Sequence, residues 1–206
     1  MYLTTSLRLL RWFMPRGLIW EIPEKEKVLY LTFDDGPVAG VTDKTLAILD
    51  RFKAKATFFC VGDNVRKHPE TYQAIIASGH AVGNHTFHHL NGWKTSDDAY
   101  FSDVKKCAEL VDSKLFRPPY GRITRRQAKI LSKDYKIIMW SVLSGDYDPL
   151  LTPETCFENV RKFTRSGSII VMHDQQKSAG TMLMVLPHIL TYYTQMGFKF
   201  STIKIV

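Results

Sequence analysis

Apolar residues fall along this chain in two alternating kinds of stretch. Short runs rich in β-branched and aromatic residues, at 28–33, 56–61, 80–83, 114–117, 136–141, 168–172 and 198–201, have the length and content of buried strands. Between them, apolar positions recur at helical spacing over 44–52, 70–77, 96–112, 123–132, 153–164 and 180–195. Thr42-Asp43, Ser96 and Thr152 stand where helix N-caps belong, Ser78-Gly79 closes the second helix, and Pro187 predicts a kink or break in the last. Seven strands alternating with helices predict an α/β fold with a parallel sheet, open or closed into a barrel. No linker, low-complexity tract or internal repeat divides the chain. A single domain over 28–206 is therefore expected, with 1–27 as an N-terminal extension.

Polar chemistry collects just after the apolar runs. Asp34-Asp35-Gly36-Pro37 ends the first strand, at the sheet edge where α/β folds gather functional groups. Neighbouring carboxylates on extended backbone point apart, so one can bind a metal while the other moves protons. Asn84-His85-Thr86-Phe87-His88-His89 follows the third strand. His85 and His89 are four apart, and on one helical turn both imidazoles would reach the same side, the spacing of two-histidine metal sites. With Asp34 or Asp35 they make a two-histidine, one-carboxylate set with open positions, which suits a catalytic divalent ion. The stiff Arg117-Pro118-Pro119-Tyr120-Gly121 loop leaves the fourth strand and holds Arg117 and the Tyr120 amide without helix or sheet support. His173 emerges from four apolar residues at the same edge, with an imidazole suited to acid–base work near neutrality. Asp146, in the loop after the fifth strand, is placed to orient His173 or to hold Arg117.

Composition narrows the alternatives. At 206 residues, 45% hydrophobic and 23% charged, the chain suits one ordinary globular domain. Its net charge of +8 favours anionic partners, but the charge is scattered and no nucleic-acid fingerprint accompanies it, which argues against a nucleic-acid binder. Cys60, Cys107 and Cys156 are an odd number at wide spacing and read as reduced thiols. Leu7, Leu9, Leu10, Trp12, Phe13 and Met14 form a small apolar group interrupted by Arg8 and Arg11. It has neither the apolar run nor the cleavage site of a signal peptide. It is expected to close off the bottom of the domain or to lie on an anionic membrane, in a cytoplasmic or peripheral membrane protein.

Taken in order, these pieces resemble the polysaccharide deacetylase family, carbohydrate esterase family 4, also called the NodB homology domain. The resemblance rests on Thr32-Phe33-Asp34-Asp35-Gly36-Pro37, His85-Thr86-Phe87-His88-His89, Arg117-Pro118-Pro119-Tyr120-Gly121, the acidic loop at 144–148 after Trp140, and the strand end at His173. It implies a distorted (β/α)7 barrel and a metal-dependent hydrolase that removes N-acetyl groups from amino sugars of a peptidoglycan- or chitin-like glycan. It implies Asp34 as catalytic base, Asp35, His85 and His89 as ligands of zinc, cobalt or another divalent ion, and Arg117 as the partner that tunes Asp34. His173 becomes the general acid oriented by Asp146, and the Tyr120 amide an oxyanion donor. Pro119, Tyr120, Trp140 and Tyr147 are expected to contact the sugar. Leu143 and Tyr147 depart from the family's acidic loop, where an acid and a tryptophan are usual, so the groove floor is expected to differ in shape. The alternatives are an O-acetyl esterase, a hydrolase of small cyclic amides, and a catalytically idle glycan-binding module.

Overall fold

A computed structural model describes residues 14–204. Its strands are β1 (Val28–Asp34), β2 (Ala56–Cys60), β3 (Ala81–Asn84), β4 (Leu115–Phe116), β5 (Lys136–Ile137), β6 (Val142–Leu143), β7 (Ile169–His173) and β8 (Lys199–Phe200). The helices are α1 (Thr42–Arg51), α2 (Gly62–Lys67), α3 (Pro69–Ala77), α4 (Asp97–Ala108), α5 (Arg125–Leu131), α6 (Pro153–Phe163) and α7 (Ala179–Gln195). The strands run in the order β5-β4-β3-β2-β1-β7-β6, parallel throughout, with β8 beside the start of β1. This is the distorted (β/α)7 barrel.

Strand periodicity sorts the side chains into two layers. Leu29, Leu31 and Phe33 of β1 join Phe58 of β2 and Ile170 and Met172 of β7 in the outer core, packed with Leu186, Ile189 and Leu190 of α7. The alternate residues Tyr30, Phe59, Leu115, Ile138 and Ile169 fill the barrel interior with Ile203. The same alternation continues upward. Thr32, Asp34, Arg117 and His173 lie on the inward face, above that apolar plug.

Four local features differ from the sequence expectation. The run 136–141 is strand only at 136–137, with β6 beginning at 142, because its backbone changes partners in between: Ile138 N donates to Phe116 O at 2.8 Å, Met139 N to Ile19 O at 2.7 Å, and Ser141 N to Ile169 O at 3.1 Å. Those residues cross from β4, second from one end of the strand order, to β7, second from the other, with the 19–22 segment alongside. Thr42 does not cap α1. It is the first helical residue, and its hydroxyl accepts from Val38 N at 2.8 Å and donates to Asp174 Oδ2 at 2.6 Å. The helix α2 was not expected, since 62–67 carries few apolar residues. The last helix runs through Pro187 as one element of 17 residues.

Cys60, Cys107 and Cys156 are free and buried, and burial pushes the Cys107 and Cys156 thiols up to about 12. The run from Leu7 to Phe13 lies outside the described residues, so its expected place under the domain or on a membrane does too. Among the described residues no helix is long and apolar enough to cross a membrane.

Candidate active site

Asp34 ends β1 on the inward face, and its Cα partner on the neighbouring strand is His173. Asp35 leaves the strand with φ +79°, left-handed rather than extended backbone, and that turn gives the two carboxylates different partners: Arg117 for Asp34, His85 and His89 for Asp35. The Asp35 turn is held from two sides: Gly36 N donates to Asp174 Oδ1 at 3.0 Å, and Asn64 Nδ2 donates to the Asp35 carbonyl at 2.7 Å. A Cβ on Gly36 would stand 2.2 Å from Asp174 Oδ2, which leaves room there for glycine alone. Asp174 is fully buried, and burial with the nearby Asp35 charge pushes its carboxyl up to about 7, against the Thr42 and Gly36 hydrogen bonds.

Arg117 has no exposed surface. Its guanidinium lies 4.0 Å over the Phe59 ring and donates to Thr32 Oγ1 (2.7 Å), Asp34 Oδ1 (2.6 Å), Ile138 O (3.2 Å) and Met139 O (3.0 Å). A cation this deep is tolerable only because its N–H groups are matched and a carboxylate lies beside it. Asp34 is thus fixed through one oxygen, while the residue still lines the cleft.

Asp35, His85 and His89 converge. Asp35 Oδ1 is 3.5 Å from His85 Nε2 and 3.0 Å from His89 Nε2, and one donor atom from each of the three lies within 4.8 Å of the others. His85 Nδ1 is 2.7 Å from Arg117 O, and since a carbonyl only accepts, Nδ1 carries the proton and Nε2 presents a lone pair. Burial acts to raise the Asp35 carboxyl, but the two imidazoles packed against it, with the nearby His173, carry it well below the ordinary range. Two imidazole nitrogens and a carboxylate, one nitrogen with its tautomer fixed from behind, fit a divalent ion such as zinc. The two histidines do not share a helical turn, however. They sit in a loop in which Thr86 (φ +60°) and His89 (φ +57°) both take left-handed backbone, and that bend rather than helical spacing brings the rings together.

On the other side of β1, His173 Nδ1 lies 2.8 Å from Asp146 Oδ1, and His173 N donates to Asp146 Oδ2 at 2.8 Å. Ser144 Oγ also donates to Asp146, at 2.8 Å. Asp146 therefore pairs with His173 and not with Arg117. Burial acts to lower the His173 pKa, but the charge and hydrogen bond of Asp146, with the charges of Asp35 and Asp34, push it up to about 9.

These groups line or underlie one cleft of about 550 Å³. Tyr120, Trp140, Leu143 and Tyr147 form aromatic and apolar walls, and the Tyr147 ring stands edge-on to His173 at 5.1 Å. Tyr120 is 61% exposed with φ +60°, its ring 4.6 Å from that of His89, and its amide has no acceptor among the described residues. Pro119 is buried and does not line the cleft. Sequence reasoning missed Asn64, Arg122, Gln175 and Lys177, which do. Asn64 rides on the unexpected helix α2, and the two cations carry no local signal that separates them from other surface charges.

The model of the family described as polysaccharide deacetylase matches residues 21–136. The chain belongs to the polysaccharide deacetylase family. Members of this family are metal-dependent hydrolases of acetylated sugars, and this member's three converging donors accord with that. The deacetylase is 33% identical over 199 residues to a peptidoglycan-N-acetylglucosamine deacetylase of Bacillus cereus, covering 92% of this chain and 93% of the relative. It is 31% identical over 191 residues to the peptidoglycan-N-acetylglucosamine deacetylase PgdA of Listeria monocytogenes, covering 89% of this chain but 40% of that longer protein. The solved structure of the Bc1960 peptidoglycan N-acetylglucosamine deacetylase, in complex with 4-naphthalen-1-yl-N-oxidanyl-benzamide, superposes with a TM-score of 0.87 at 31% identity, covering 91% of each chain.

Proposed function

We propose that this deacetylase hydrolyses the N-acetyl group of N-acetylamino sugars in a peptidoglycan- or chitin-like glycan. The observation that carries the reading is one cleft holding a three-donor metal set, a carboxylate fixed by a buried arginine, and a histidine–aspartate pair on the opposite side of β1. We take residues 28–206 as the catalytic domain and 1–27 as an extension against the barrel. The bonds of Ile19 and Ile22 to Ile137, Met139 and Gly167 support this for its described part.

Asp35, His85 and His89 would hold the ion, zinc by the chemistry of the donor set. When bound, such an ion polarises the acetyl carbonyl and acidifies a water beside it. Asp34, held at Oδ1 by Arg117, takes the proton of the attacking water at Oδ2. The Tyr120 amide, without an acceptor among the described residues, would donate to the oxygen on which negative charge develops. His173, protonated at neutral pH and anchored at Nδ1 by Asp146, gives its Nε2 proton to the sugar nitrogen as the C–N bond breaks, and acetate leaves. The Asp146 carboxylate keeps His173 protonated on its side of β1, while the Arg117 guanidinium holds Asp34 in place on the other. Tyr120, Trp140 and Tyr147 serve as sugar-stacking walls, and Pro119 acts indirectly by shaping the Tyr120 turn. Arg122 and Lys177 at the cleft favour a glycan carrying carboxylates, such as peptidoglycan, over neutral chitin.

The test is acetate release by the zinc-loaded protein from peptidoglycan fragments, chitooligosaccharides and O-acetylated xylan. N-deacetylation of the amino-sugar substrates is expected. Release from xylan alone, or binding without turnover on any substrate, would overturn the assignment.

A further inference from the structure

The loop carrying the two histidines has a problem of its own. Thr86 and His89 hold left-handed backbone that side chains disfavour, yet the loop must present His85 and His89 to within about 5 Å of Asp35. Something outside the loop has to over-determine that shape. Asp103, in the middle of α4 and only 6% exposed, supplies three contacts to it. Its Oδ2 accepts from Phe87 N at 2.8 Å and His88 N at 2.9 Å, and its Oδ1 lies 2.5 Å from His88 Nδ1. All three partners belong to the two residues immediately before His89. Among the described residues no lysine or arginine pairs with this buried carboxylate, so its charge is balanced by the loop's own N–H groups. The same helix takes the Asn84 side chain at Val104 O (2.9 Å), and Asn84 Oδ1 in turn accepts from Thr86 N (2.9 Å). From the other side, Gly62 N and Asp63 N of α2 donate to the carbonyls of Thr86 and Phe87, both at 3.0 Å.

We propose that Asp103 is a positioning residue for the metal site: from outside the ligand set it fixes the loop between His85 and His89 and thereby sets the affinity for the ion. The inference rests on the metal reading above and deepens it. A partner behind the ligands changes affinity typically by about 10–100-fold, so Asp103→Ala and Asp103→Leu, which offer the amides no acceptor, should weaken zinc binding by that factor. Asp103→Asn, whose amide oxygen can still accept from both backbone N–H groups, should recover affinity to within about threefold.

The experiment measures the zinc dissociation constant of the full chain by competition with a chromophoric chelator, beside the unfolding midpoint of each metal-free protein. A merely structural aspartate would lower the midpoint and leave the dissociation constant of the folded fraction unchanged. That result in Asp103→Ala or Asp103→Leu would overturn the proposal. Amide exchange in the metal-free wild type tests it even where those variants do not fold. Phe87 and His88 amides should be protected before any zinc is added, and exchange at unprotected rates would refute a preformed clamp. Absence of zinc binding by the wild type would overturn the metal reading together with the inference, whereas equal affinities of wild type and Asp103→Ala would remove Asp103 alone.

Discussion

Replacing Asp146 with asparagine keeps the shape of the His173 partner and removes its charge. In the native site the imidazole stands at about 9 against an ordinary 6.5, with Asp146 the leading influence that raises it and burial acting the other way. Without that charge, burial is opposed only by Asp34 and Asp35, so the His173 pKa should fall by about two units, about 2.7 kcal/mol of differential stabilisation. As the proposed general acid His173 works when protonated, so the basic limb of kcat/KM against pH should move down by the same two units. At pH values above both limbs the variant should be about 100-fold slower, with a much smaller deficit below both. A bound dication would offset the Asp35 charge in wild type and variant alike, so the displacement between the two limbs would survive. Stability gives a second readout in the metal-free protein. A histidine whose folded pKa is raised contributes stability that is fully present below about 6.5 and lost as pH rises through about 9. The wild type should therefore lose up to about 3 kcal/mol more than Asp146→Asn across that window in urea titrations. Acetate release assayed from pH 5 to 10 checks the first expectation, and a variant whose basic limb coincides with that of the wild type would refute the pairing's role.

Arg117→Met should cost about 3–5 kcal/mol, read as a lower urea midpoint, because it strands the buried Asp34 carboxylate and the Ile138 and Met139 carbonyls. His85→Ala should lose zinc and turnover together, measured by metal content after dialysis and by acetate release. Gly36→Ala should weaken both fold and zinc binding, by about 1–3 kcal/mol in stability, since its methyl meets the Asp174 carboxylate and displaces the turn that carries Asp35.

How much of this was legible in the chain follows from where each group sits relative to a strand. Asp34 and His173 could be placed because each ends an apolar run, and strand alternation then decides which face they join. Arg117 could be tied to the same edge, but its complete burial could not, since nothing local shows that Phe59 and the 138–139 carbonyls surround it. The His85–His89 spacing pointed to convergence for the wrong reason. Asn84 and Asp103 bend the backbone into a loop, and those contacts come from residues up to 16 positions away. Asp103 itself reads in sequence as one more acid on an amphipathic helix, and only the packing of α4 against the loop turns it inward. The 136–141 run looked like one strand because all its residues suit a strand; which neighbour each one pairs with is decided by the barrel's closure and by the 19–22 segment.

Asp34 is proposed to take the proton while Asp35 helps to hold the ion. Acetate release by zinc-loaded wild type and Asp34→Asn, with zinc content determined on the same samples, tests it most directly. Equal zinc content is expected, with a rate in the variant lower by about 10²–10⁴-fold, the range for losing a general base. An Asp34→Asn protein that retains its zinc and turns over near the wild-type rate would contradict it.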